Sequence, residues 1–259
     1  MIYYRLLCCF LILLPLEGIA QGISQKNKHY IDISMGVNLP LFAISNDGLG
    51  RKLLNGDDTF TGSLSLRYQY FFNQKWGGFI DMQFTSNSIS NYDDLPMDVK
   101  PDKDNYYLLG GNENPNPDIL RYTYLAGVVR RYDTRNWSFR PYLGIGLGFV
   151  RMRAISFQMK GIGNNQVYES DLQLKEGKNS VYTMALSPGI YVAWKFSSDV
   201  HLFADVNYIQ HLQSIRYVYK ETDSYTGNTI KENQYSAGMN CYLNINAGIS
   251  IPLWYNKRR

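Results

Sequence analysis

The chain has 259 residues and a formal net charge of +4, but Lys257, Arg258 and Arg259 supply three of those units, while Arg5 and Glu17 cancel near the start. The body is therefore close to neutral, which gives no case for nucleic-acid binding. Mean hydropathy is negative and only one long apolar run exists. Helical membrane spans are thereby excluded, whereas a closed barrel, the bilayer's other solution, is not.

That run, Leu6 to Leu16, follows Arg5 and leads to the small-residue site Gly18-Ile19-Ala20, so residues 1–20 read as a cleaved signal peptide and Gln21 as the first mature residue. A retained membrane helix is the rival, but the run is shorter than the ~20 residues needed to span. Cys8 and Cys9 lie inside the leader and lack the small-residue context of a lipoprotein site. Only Cys241 survives maturation, so no intrachain disulfide is expected. No composition shift divides residues 21–259, which read as one domain.

Period-two alternation, a strand signal, recurs eight times. In the first segment Ile31, Ile33, Met35, Val37 and Leu39 alternate with Asp32, Ser34, Gly36 and Asn38. In the second, Leu64, Leu66, Tyr68, Tyr70 and Phe72 oppose Ser63, Ser65, Arg67 and Gln69. The third sets Ile80, Met82 and Phe84 against Asp81, Gln83, Thr85 and Asn87. The fourth, Leu120 to Tyr132, is less regular, because Leu125 and Val129 interrupt its polar face. The fifth sets Phe139, Leu143, Ile145, Leu147 and Phe149 against Arg140, Tyr142, Gly144, Gly146 and Gly148. The sixth and seventh form a hairpin about Ser197 and Ser198, with Tyr182 to Phe196 apolar at even positions, then Val200, Leu202, Ala204, Val206 and Tyr208 opposite His201, Phe203, Asp205, Asn207 and His211. The eighth places Leu243, Ile245, Ala247, Ile249, Ile251, Leu253 and Tyr255 opposite Asn244, Asn246, Gly248 and Ser250.

Connections after the second, fourth and sixth strands are short. Those after the first, third, fifth and seventh, roughly residues 40–60, 88–119, 154–179 and 214–238, are long, rich in Asn, Asp, Gly and Pro, and read as loops. Such alternation puts every long loop at one end of an up-and-down barrel, as in outer-membrane barrels with short periplasmic turns. Removal of 91–116 from the second loop is expected to cost no strand. Trp76, Trp137, Trp194 and Trp254 all fall at the short-turn end, the placement of an aromatic girdle at a membrane interface. A soluble barrel of lipocalin type has the same alternation turned inside out; the girdle, the loop asymmetry and glycines on the polar face favour lipid outside. The fold class expected is all-β, an eight-stranded antiparallel up-and-down transmembrane barrel.

With those elements, the mature chain resembles the small outer-membrane β-barrel proteins of Bacteroidota, the PorT-like group, and more distantly the eight-stranded OmpX, OmpA and OmpW barrels. The residues carrying this are the Ala20-Gln21 junction, the run from Arg140 to Gly148, and a last strand resembling the insertion signal of the barrel-assembly machinery, here followed by Asn256 to Arg259. The resemblance implies integral outer-membrane location with extracellular loops and periplasmic termini, contact with outer-membrane lipid and the assembly machinery, and an envelope partner or extracellular ligand held by the loops. It implies no activity. An envelope assembly or secretion component is the alternative it suggests.

The polar face collects Asp32, Arg67, Asp81, Arg121, Arg140, Lys195, His201, Asp205 and His211. These could form a solute path or a paired plug; an eight-stranded barrel is just filled by its own side chains, and buried charges must pair, so a plug is expected. A lipid-modifying enzyme would need His211 with Ser214, yet positions three apart on a strand face opposite sides. The acidic group Asp93, Asp94, Asp98, Asp102 and Asp104 lacks the spacing of known calcium loops and reads as a solvated face. No catalytic, cofactor-binding or metal residue is assigned, no cofactor is expected, and the chain is not expected to be an enzyme.

Overall fold

The computed structural model describes residues 28–43, 61–88, 106–111, 118–152, 155–161, 166–174, 180–238 and 240–253. Residues 1–20, read above as a signal peptide, and Trp254, Tyr255 and the acidic group at 93–104 lie outside them. Among the described residues fourteen strands form two sheets. The first is β1 (His29–Ala43), β2 (Thr61–Phe71), β3 (Trp76–Ser88), β5 (Asp118–Arg130), β6 (Tyr132–Asp133), β7 (Trp137–Met152), β10 (Ser180–Trp194), β11 (His201–His211) and β14 (Asn240–Leu253). The second is β4 (Tyr106–Gly111), β8 (Ile155–Gly161), β9 (Val167–Leu174), β12 (Ile215–Asp223) and β13 (Thr229–Gly238).

Eight strands of the first sheet, all but the two-residue β6, close into an antiparallel barrel. Neighbours in sequence pair around the wall, β10 pairs with β7, and the seam is β1 with β14, running from His29 opposite Leu253 to Ala43 opposite Asn240. Closure leaves no barrel edge unpaired. Each expected segment is one of these strands. The fourth has the length of Leu120 to Tyr132 but lies two residues earlier, since β5 runs from Asp118 to Arg130 and β6 begins beyond Arg131. Leu125 and Val129 do face inward, where they pack with Phe79 and Tyr142 in a small apolar cluster.

The alternation is inside out. Asp32, Ser65, Arg67, Asp81, Thr123 and Asp205 are buried, while Met35 is 72 % exposed and Tyr182 68 %, with Leu66, Ile80, Met82, Ile145 and Leu147 also outward. A lipocalin-type barrel would show the reverse.

The long connections depart from expectation. They contain the five strands of the second sheet, ordered β13-β12-β9-β8-β4, built from the hairpins β8–β9 and β12–β13 with β4 at one edge. Residues 91–116 include β4, so their removal would take an edge strand. In this sheet the polarity reverses. Phe157, Met159, Tyr168, Tyr217 and Tyr219 are buried, whereas Gln158, Glu169, Arg216 and Lys220 face out.

Candidate functional site: the filled lumen and the sheet above it

Period two delivers the inward side chains, and strand register decides which of them meet. At the short-turn end Arg131 lies over the Phe71 ring at 4.0 Å and pairs with Asp133 at 3.2 Å. Lys195 reaches the same carboxylate at 3.4 Å and donates to the Thr134 carbonyl at 2.7 Å. Above them the fully buried Arg140 lies over Tyr30 at 4.2 Å and Tyr191 at 5.0 Å, with its Nε donating to Ser138. Gln69 accepts from Arg140 and donates to Asp32, which also accepts from the Tyr191 hydroxyl.

The middle of the lumen is organised by Arg67. One Nη lies 2.9 Å from both Asp81 and Asp205 and donates at 2.9 Å to the Tyr142 hydroxyl, which itself donates to Asp205. Asp81 is Arg67's register partner on β3, whereas Asp205 comes from β11. Ser65 and Gln83 donate to Asp81 and Asn207 to Asp205, and Asn244 then ties Gln83 to Asn207. Gly189 makes room for the hub, since a Cβ there would lie 2.3 Å from the Tyr142 ring. Such a network satisfies charges that would otherwise be costly to enclose.

Toward the long-connection end, His211 Nδ1 and the Thr183 hydroxyl are 2.7 Å apart, and Arg121 lies over the Tyr242 ring at 4.9 Å. A Cβ on Gly148 would strike the His211 ring at 2.4 Å. The cavity beside them has a free volume of about 10 Å³, the room of one water. The lumen is therefore a plug, and the residues expected on the polar face are all in it or at its mouth. Ser214 is exposed beyond the end of β11 and His211 turns inward to Thr183, so the pair required for lipid modification is not assembled. Among the described residues no group of three or more His, Cys, Asp or Glu could hold a metal ion.

Above the lumen, burial pushes the Tyr217 hydroxyl above its ordinary value, against the nearby positive charge of Arg121. Ser170 and Glu221 both hydrogen-bond the Tyr219 hydroxyl, each at 3.1 Å. The two hairpins are joined at their tips. Ser224 N–H donates to the Val167 carbonyl, and Gln166 donates to Asp223. Asp223 also accepts the N–H groups of Tyr225 and Thr226 at 2.8 and 3.2 Å, which holds its carboxyl below the usual range. Gly227, at φ 69°, takes the left-handed conformation the turn requires. Tyr225 is thereby presented at the tip, 79 % exposed. Tyr217 and Tyr219 between the outward Arg216 and Lys220 give only a partial alternation, broken by the buried Val218.

No family model matches the sequence, and no curated protein matches it. Solved structures of similar fold include a major outer membrane protein of Thermus thermophilus (13% identity, 88% of this chain and 100% of that one, TM-score 0.47). They also include Neisserial surface protein A (15%, 87% and 97%, 0.42) and the outer membrane protein OprG of Pseudomonas aeruginosa (13%, 87% and 97%, 0.43).

Proposed function

We propose that the chain is an integral outer-membrane protein whose barrel is a sealed anchor and whose second sheet stands outside the cell as the recognition surface. The observation that carries this is the reversal of polarity along one wall. Outward residues are Leu66, Ile80, Met82, Ile145 and Leu147 in the barrel but Gln158, Glu169, Arg216 and Lys220 in the second sheet. An outward apolar surface followed by an outward polar one marks a passage from hydrocarbon to water. The filled lumen argues against solute passage, and His211 facing Thr183 supports a non-enzymatic role. The joined hairpin tips with Tyr225 supply a rigid, exposed aromatic of the kind that anchors binding.

In this orientation the short turns and the termini are periplasmic, assembly depends on the barrel-assembly machinery, and outer-membrane lipid surrounds the wall. Single cysteines in a Cys241→Ala background test it. In intact cells an impermeant thiol reagent should label a Tyr225→Cys variant and spare a Ser198→Cys one; the opposite result would overturn the topology and with it the recognition surface. Resistance to carbonate extraction, and faster migration unboiled than boiled on SDS gels, test membrane integration separately. An envelope assembly role, as in the PorT-like group the sequence resembles, predicts instead that crosslinks from Ser198 and Arg135 capture a periplasmic partner.

A further inference from the structure

The near-neutral charge of the body conceals an asymmetry. At the short-turn end the described residues include six cationic side chains, Lys28, Lys75, Arg130, Arg131, Arg135 and Lys195, against two acidic ones, Asp133 and Asp199. The second sheet carries four cationic and five acidic residues. In the lumen the charges of Arg67, Asp81 and Asp205 are spent on one another. The excess positive charge therefore sits at one rim.

A second observation gives that rim its setting. Trp76, Trp137 and Trp194 all stand at strand ends beside the short turns, Trp137 and Trp194 as register partners on β7 and β10 with ring centroids 6.4 Å apart. Trp137 and Trp194 are exposed on the barrel's outside, as is Phe196. Arg130, the register partner of Trp76 on β5, is only 9 % exposed, its guanidinium enclosed 5.2 Å from the Trp76 ring and 5.1 Å from Tyr132. The exposed Lys75 and Arg135 occupy the turns on either side. Tryptophans mark the headgroup level of a bilayer, and cations beside them reach the phosphates.

We propose that this rim binds anionic phospholipid headgroups, with their phosphates seated against the exposed Lys75 and Arg135 just beyond the tryptophan belt and with the enclosed Arg130 adding positive charge beneath the Trp76 ring. The proposal rests on the reading that the barrel spans a bilayer. Fixed cations at headgroup level attract anionic lipid, and salt weakens the attraction within a Debye length. In the proposed orientation the lipid belongs to the periplasmic leaflet, so the barrel would carry a shell of acidic phospholipid there.

The test uses the folded full-length mature protein in phosphatidylcholine bilayers, with heat-modifiable migration checked first; failure at that step sinks the membrane reading rather than this one. Spin-labelled phosphatidylglycerol and phosphatidylcholine are then compared for the motionally restricted fraction at the barrel. The expected result is a preference for phosphatidylglycerol of at least about threefold that falls in 1 M salt. It should also fall in a Lys75→Gln/Arg135→Gln variant, whose changes lie in exposed turns, and in Arg130→Gln. Equal association of the two lipids would overturn the proposal, as would a preference that survives in both variants. A preference abolished by a soluble polyanion but insensitive to these substitutions would place the anion site elsewhere.

Discussion

The barrel wall and the second sheet are both antiparallel and their strands follow one another along the chain, yet they bury opposite chemistry. In the barrel the enclosed face holds Arg67, Asp81, Asp205 and their amide neighbours, and the exposed face holds Met35, Leu66 and Ile145. In the upper sheet the enclosed face holds Phe157, Met159, Tyr217 and Tyr219. Hydrogen bonding builds either sheet equally well, so backbone pairing cannot explain the difference. The surrounding medium does: a side chain facing hydrocarbon is apolar and its interior counterpart may be polar, whereas a side chain facing water reverses both demands. The same alternation thus carries information about fold in its period and about solvent in its sign.

The strongest way to break the contrast is to strand a charge in the lumen. Arg67→Leu leaves Asp81 and Asp205 enclosed without their common cation, and Asp205→Leu removes an acceptor of both Arg67 and Tyr142. Each is expected to destabilise the barrel by about 3 to 5 kcal/mol. Urea titrations followed by loss of heat-modifiable migration measure this, and midpoints equal to wild type would refute the paired plug.

Next in size is a charge placed on each outer face. Met82→Lys, opposite Leu66 and Tyr124 on the barrel's outside, should cost about 2 to 4 kcal/mol near the bilayer midplane. Gln158→Lys on the second sheet, opposite Glu169, should change stability by no more than about 0.5 kcal/mol. Similar costs at the two sites, measured by reversible folding into lipid vesicles, would erase the distinction between the regions.

The smallest effect is one of pH. Hydrogen bonds from Tyr225 and Thr226 hold the Asp223 carboxyl below its ordinary value. A depressed folded pKa contributes stability that is present above the unfolded value of about 3.9 and lost as pH falls through the folded one. The hairpin tip should therefore stay ordered through mildly acidic pH and loosen only below about pH 4. Amide resonances of Tyr225 and Thr226 report this; loosening at pH 5 to 6 would contradict it, and Asp223→Ala should remove the transition.

Much of the barrel was legible in sequence because each strand declares its own faces. Arg67, Asp81 and Asp205 could be placed on the inward side from local alternation alone. That one guanidinium would sit between both carboxylates could not, since Asp205 lies on β11, far along the chain, and its approach depends on barrel closure. Tyr142 was legible as inward but not as the hydroxyl that links Arg67 to Asp205. The upper sheet was missed for a different reason. Tyr217, Val218 and Tyr219 are buried in succession, which interrupts a strict alternation, and β4 is a six-residue edge strand with a register shift near its paired glycines. Short strands set among Asn, Asp and Gly resemble loops until their partners are known.

The seam between β1 and β14 has a bearing on how the molecule is made. It joins His29 to Leu253, the most distant pairing in the wall, and is interrupted only by the irregularity between Pro40 and Phe42. Every other pairing in the wall joins strands closer in sequence, whereas this one brings the first strand to the last and so closes the wall. Until then β1 and the growing end each offer a bare row of backbone donors and acceptors, an open template for unwanted pairing. The barrel therefore has no closed wall until its last strand is in place, and its first strand keeps one edge bare until then.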